Sequence, residues 1–156
     1  MALKPDRDYN AMDDISYFWT DTAATVEKGG CASLVTAGSG VSLDDTNNVV
    51  EYAADPSGAV PKGVMLADVA VYTPTTRFHR NFDNGEVLPG EKVCLIRKGW
   101  VVTDMITGTP TAGGDAYLGV SGYFATEMPS GSYSVVVGKF ETTADPDGFV
   151  KVFVDL

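Results

Sequence analysis

The sequence predicts an all-β fold, and three observations carry that expectation. It sets 17 Gly and 8 Pro between short runs of Val, Tyr and Phe, the texture of short strands joined by tight turns. Its most strand-like stretch, Glu91 to Asp104, holds two runs rich in β-branched and aromatic residues that meet at Lys98-Gly99 and read as a bent strand or a strand pair. Near the end, Ser134–Phe140 and Phe149–Leu156 read as two clear strands joined around Asp145-Pro146-Asp147-Gly148, a strong hairpin signal.

Taken in order, residues 1 to about 22 stand apart from the rest. They hold Pro5, several Asp and the cluster Tyr17-Phe18-Trp19, with poor strand alternation. Two readings compete for them. The segment folds its aromatics onto its own core, or it is an extended N-terminal arm that places Tyr17, Phe18 and Trp19 on a neighbouring subunit. The arm is the expectation adopted here, which leaves residues 23–156 as a single β-rich domain. Cys31 to Thr36 is a short apolar run closed by Gly38-Ser39-Gly40. Asn47 to Ala53 alternates, with Val49 and Glu51 on one side and Val50 and Tyr52 on the other. Asp55-Pro56-Ser57-Gly58 is a turn, and Gly63 to Val71 is a further strand expected to bury Val64, Leu66 and Val69.

Tyr72 to Asp83 differs from its surroundings. Arg77, His79 and Arg80 interleave with Phe78 and Phe82, the densest basic-aromatic patch in an otherwise acidic chain. A loop of that length is either functional or a covering flap. Either the phenylalanines plug the end of the fold, or the whole segment meets an acidic partner surface; the second is the expectation. In Glu91 to Asp104, Pro89-Gly90 supplies the entering turn. Val93 and Leu95 then point opposite to Cys94 and Ile96, so both faces are apolar and the strand is expected to be central. Beyond the break, Trp100 and Val102 share one face, and Val101 and Thr103 the other. Asp115 to Val120 and Gly122 to Thr126 follow as short strands after turns at Gly108-Thr109-Pro110 and Gly113-Gly114. In the closing strand Val150, Val152, Val154 and Leu156 fall on one face, and Phe149, Lys151 and Phe153 on the other.

A chain of 156 residues suits one domain, able to bury roughly 70% of its unfolded surface. A hydrophobic share of 44% is ordinary for a globular protein. The formal net charge of -10 argues against a nucleic-acid groove, which needs clustered cations. No apolar run reaches membrane-helix length, and Met1 to Asp8 lacks the apolar core of a signal peptide, so synthesis in the cytoplasm is expected. In that setting Cys31 and Cys94, the only 2 cysteines, are expected to be free thiols.

Catalytic chemistry leaves few traces. One histidine and two distant cysteines match no zinc spacing, so neither metal nor cofactor is expected. The Asx-rich run Asp44 to Asn48 lacks the spacing and distal Glu of a calcium loop and reads as a turn. Gly-x-Ser-x-Gly, a phosphate loop and a dinucleotide fingerprint are all absent from the sequence. Carboxylates are plentiful, but most sit beside Gly, Pro or Asn, where turns want them. A binding or structural role is therefore favoured over an enzyme. A small carbohydrate-binding β-sandwich and a hydrolase built on two facing carboxylates stay open as alternatives.

One family matches the order of the pieces. Gly63-Val64-Met65-Leu66-Ala67-Asp68-Val69, Pro89-Gly90-Glu91-Lys92-Val93, Arg97-Lys98-Gly99-Trp100-Val101-Val102, Gly113-Gly114-Asp115-Ala116-Tyr117, Val137-Gly138-Lys139-Phe140 and Gly148-Phe149-Val150-Lys151-Val152 follow one another. The set resembles the head decoration, or capsid cement, proteins of tailed bacteriophages over roughly residues 60 to 156, with Lys98-Gly99 as a turn. The resemblance implies a compact β-barrel or β-tulip-like body on the outer surface of an icosahedral shell. It implies a non-enzymatic virion protein that clamps neighbouring copies of the major capsid protein, and a homo-oligomer, a trimer by preference. It implies no direct contact with nucleic acid or membrane.

Overall fold

The computed structural model describes residues 11–20, 26–37, 48–68, 86–87, 90–129 and 134–156. Its strands are β1 (Ala11–Trp19), β2 (Val26–Glu27), β3 (Cys31–Leu34), β4 (Val49–Glu51), β5 (Pro61–Asp68) and β6 (Glu86–Val87), then β7 (Lys92–Thr103), β8 (Ile106–Thr107), β9 (Asp115–Leu118), β10 (Phe124–Ala125), β11 (Val136–Phe140) and β12 (Val150–Asp155). A single 3₁₀ turn at Val120–Gly122 is the only helical element among the described residues. The fold is all-β, with a strongly curled, barrel-like sheet.

β7 organises that sheet. It runs unbroken through Lys98-Gly99, which is the bent strand and not the strand pair or turn that the sequence also allows. Gly99 takes φ 149, a conformation a side chain resists, and so lets the strand bend without ending. The bend gives β7 two sets of partners. Its first half pairs with β1 and β5, and its second half with β12 in the register Val101↔Val152 and Trp100↔Phe153.

The pairings β1–β4, β4–β3, β3–β5, β5–β7 and β7–β1 form a closed circuit of five strands. From β7 the sheet continues outward in the order β12-β11-β9-β10-β8. Two hydrophobic cores result. Trp19, Ala32, Val50, Met65, Val87, Val93 and Leu95 make one. The other gathers Cys31, Val64 and Ile96 with Leu118, Phe124, Phe140 and the valines of β12. Consecutive residues therefore go to different cores: Cys31 and Ala32 on β3, Val64 and Met65 on β5, Ile96 and Leu95 on β7. Successive side chains of a strand point to opposite faces, so β3, β5 and β7 are the wall both cores share. That is the physical content of a strand apolar on both sides.

The two closing strands pair antiparallel, Gly138↔Val154 and Phe140↔Val152, as the hairpin signal predicts. The Asp145 carboxylate accepts hydrogen bonds from the Asp147 and Phe149 amides, and the Gly148 amide donates to the Asp145 carbonyl. Val150, Val152 and Val154 are fully buried and Leu156 packs against them. On β5 the buried pair is Val64 with Met65, while Leu66 is half-buried; Val69 lies outside the described residues.

β1 is the main departure. Over Ala11–Trp19 the expected arm is instead a strand of the chain's own sheet, parallel to β4 and antiparallel to β7. Register shifts between Met12 and Asp13 and between Asp14 and Tyr17 break its alternation. Each bulge resets which face the next side chain takes, so a strand with two of them has no period to read.

Candidate functional site

The residues singled out in the sequence do not form one site. Trp19 is 1% exposed and sits in the five-strand core, edge-on to Tyr52 with ring centroids 5.0 Å apart and planes at 73°. Tyr52 is held in turn: its hydroxyl accepts from the Gly30 amide at 3.1 Å and donates to the Glu27 carbonyl at 2.8 Å. Tyr17 is half-buried against the same core, and Phe18 pairs through its backbone with Val49 and Lys92. Trp19 is thus an anchor for its own fold, and its ring has no surface left for a neighbour. Arg77, Phe78, His79, Arg80 and Phe82 lie outside the described residues, as does the Asp44–Asn47 part of the Asx-rich run.

A different aromatic-cationic group is assembled on the outer face of β7, β12, β11 and β9. Trp100 is 48% exposed and packs against Phe153 across the β7–β12 pair, centroids 5.1 Å apart and planes tilted by 49°. The Lys151 ammonium lies 5.6 Å above the Trp100 ring, close enough for a cation–π contact. Lys98 pairs with Asp155 at 2.9 Å, and Lys139 with Asp115 at 3.9 Å. These exposed pairs contribute little to stability, so the charges are not there to hold the fold. Alternation along each strand puts Trp100 opposite Val101, and Lys151 and Phe153 opposite the buried valines. The signal was present on each strand, but only the register of β7 with β12 joins them.

A second feature lies at the β8–β10 end, a half-open groove of about 580 Å³ lined by Thr107, Val120, Ala125, Glu127, Met128 and Pro129 among others. Val120 and Met128 are exposed there. Among the described residues Glu127 is its only ionisable lining group, and they place no acid-base pair and no nucleophile with a base beside it there. No cluster of three or more His, Cys, Asp or Glu that could hold a metal occurs among the described residues.

Both cysteines are free thiols, Cys31 buried and Cys94 half-buried. Burial pushes the Cys31 thiol up to about 12, because a thiolate in an apolar core loses its hydration. Cys94 is therefore expected to react first with an aromatic disulfide reagent under native conditions, with Cys31 silent. Denaturation without reductant should then expose 2 thiols in total. Finding none would show that the two are bonded.

No protein-family model matches the chain, and no curated protein matches it.

Proposed function

We propose that this chain is a capsid decoration protein, a non-enzymatic structural protein of a tailed phage that binds the outer surface of the icosahedral shell. There it bridges neighbouring copies of the major capsid protein. The observation that carries this reading is how the resembling pieces are arranged. They are scattered over roughly residues 60 to 156, yet their described residues lie on, or lead directly into, β5, β7, β12, β11 and β9, five consecutive strands of the sheet. The pieces that resemble the family thus form one unit, and that unit carries the Trp100 face. Cementing a lattice needs modest contacts repeated many times, where avidity multiplies weak affinities. An acidic protein with an exposed aromatic face suits that task, and a deep pocket is not needed for it.

The second reading, a carbohydrate-binding module, draws its support from the exposed ring of Trp100. The geometry favours it less. Phe153 is tilted by 49° to Trp100, so the two rings offer no flat platform, and the Lys151 ammonium lies over the indole. Cryo-electron microscopy of the particle whose genome encodes the chain separates the two. The expected result is density of this fold outside the shell at repeated lattice positions. Bare particles, together with specific retention of the purified protein on a glycan array, would replace the first reading with the second.

A further inference from the structure

We infer that the open edge of β8, with the groove beside it, receives an extended peptide segment bearing lysine or arginine, contributed by a partner protein and added to the sheet as a further strand. The inference goes beyond the decoration reading and does not depend on it.

The edges of the sheet come first. At its β1 end the sheet closes on β7, and every strand of it but one has two neighbours. The exception is β8, which pairs with β10 alone and is the open edge among the described residues. Along that pair the Phe124 amide donates to the Met105 carbonyl and the Thr126 amide to the Thr107 carbonyl. Successive peptide groups of a strand face opposite edges, so the Ile106 carbonyl and the Gly108 peptide groups turn away from β10. An edge of this kind is where an extended segment adds. β8 has only two residues, so its ladder attracts weakly and selection falls to the side chains beside it.

The groove supplies them. Residues 107–109, Gly119, Val120 and residues 125–129 line it, so it begins on β8 itself. Gly108 takes φ 96, and the Thr126 side chain packs where a Cβ of Gly108 would stand, which locks the exits of β8 and β10 together. Val120 is exposed on a turn that holds Ser121 at φ 56, the one non-glycine residue with positive φ among the described residues. The Ser121 amide donates to the Ala53 carbonyl at 2.8 Å and ties that turn to the segment after β4. Backbone strain persists only where the surrounding structure enforces it, and it gathers at binding sites. Together with Met128, which is also exposed, Val120 gives the groove an apolar rim.

Charge selects the occupant. From Gly99 to Gly138 the sequence holds Asp104, Asp115 and Glu127 and no lysine, arginine or histidine. Asp115 pairs with Lys139. Asp104 and Glu127 are exposed and enter no ion pair among the described residues. Asp104 directly precedes Met105 and β8, while the register Ala125↔Thr107, carried on two residues, sets Glu127 level with Thr109 beyond it. The two carboxylates therefore bracket the edge, and no cation lines the groove. A cationic strand would meet a carboxylate at each end and the apolar rim between them. An acidic strand would be repelled by both, and by the net charge of -10.

The test uses the full chain and, as probe, a short fluorescent peptide of alternating lysine and valine. Its lysines supply the charge and its valines favour an extended backbone. Fluorescence anisotropy should show saturable binding that weakens as ionic strength rises from about 0.05 to 0.5 M. Glu127→Lys and Glu141→Lys change the net charge equally, and Glu141 is exposed just past β11 and does not line the groove. Both sites are exposed, so both variants should keep the parental melting temperature. Glu127→Lys should weaken binding by about 10-fold or more, and Glu141→Lys by less than about 2-fold. The same peptide with N-methyl groups on alternate amides keeps its charge but cannot pair with a strand edge, and it should not bind. Backbone amide resonances of Ile106, Gly108 and Glu127 should shift on titration with the parent peptide. Equal losses from the two charge variants would reduce the binding to general attraction by an acidic chain and overturn the site. Full binding of the N-methylated peptide would overturn strand addition, and so would no binding of the parent peptide. Self-association of the chain without peptide, lost in Glu127→Lys, would make a second copy the occupant and overturn a basic partner. None of these results bears on decoration, which the particle itself tests.

Discussion

Val152→Asp is expected to abolish soluble expression. Val152 is fully buried in the larger core and is flanked on β7 and β11 by Val101 and Phe140, both buried as well. Losing the valine forfeits about 2 kcal/mol of burial. A carboxyl group in its place adds several kcal/mol of desolvation, with no cation beside it in the cluster. Together these approach the roughly 5–15 kcal/mol that holds a domain of this kind together. Lys151→Asp, one residue away on the exposed face, is the control and should express normally. The comparison is read from the soluble fraction and the far-ultraviolet spectrum. Equal yields of folded protein from both variants would show that the alternation of β12 is not what divides core from surface.

Deleting residues 1–19 is expected to have an effect as large. β1 pairs with β4 and with β7, so its removal opens the five-strand circuit on both sides. Two strands would then present bare edges, a template for aggregation. The deletion also takes Trp19 out of the smaller core. Trp19→Ala alone should cost about 3–5 kcal/mol, measured by chemical denaturation. Trp19→Phe should cost less, since the buried indole N–H makes no hydrogen bond and its loss removes an unpaired donor. A soluble, cooperatively folding deletion variant would return the segment to the role of an arm, with β1 completed by a neighbour.

The two expectations for the N-terminal segment differed by a single physical question, namely where Trp19 goes. Composition favoured an arm because the segment lacks alternation and is rich in Asp. Both traits have a local cause, since register shifts around Asp13 and Asp14 are what a bulged strand requires. An aromatic cluster in such a strand carries no label saying whether it faces its own core or another chain. The Trp100 face was hidden for a different reason. Trp100 and Lys151 are 51 positions apart and meet only through the β7–β12 register.

The all-β class followed from the sequence alone, because turn residues at short intervals leave room for strands and not for long helices. So did the burial of Val150, Val152 and Val154 and the hairpin that returns β12 to β11, since alternation and turn chemistry are local properties. So did the two-sided burial of Val93, Leu95 and Ile96. What only the tertiary structure decided is which strands meet. It chose a bent strand over a strand pair at Lys98-Gly99, closed β1 onto β7, and gave β3, β5 and β7 to two cores at once. It also set Trp100 beside Phe153. Pairing between distant strands is chosen by the summed burial of both faces and by bulges that shift register, and neither quantity is a property of any one stretch of chain.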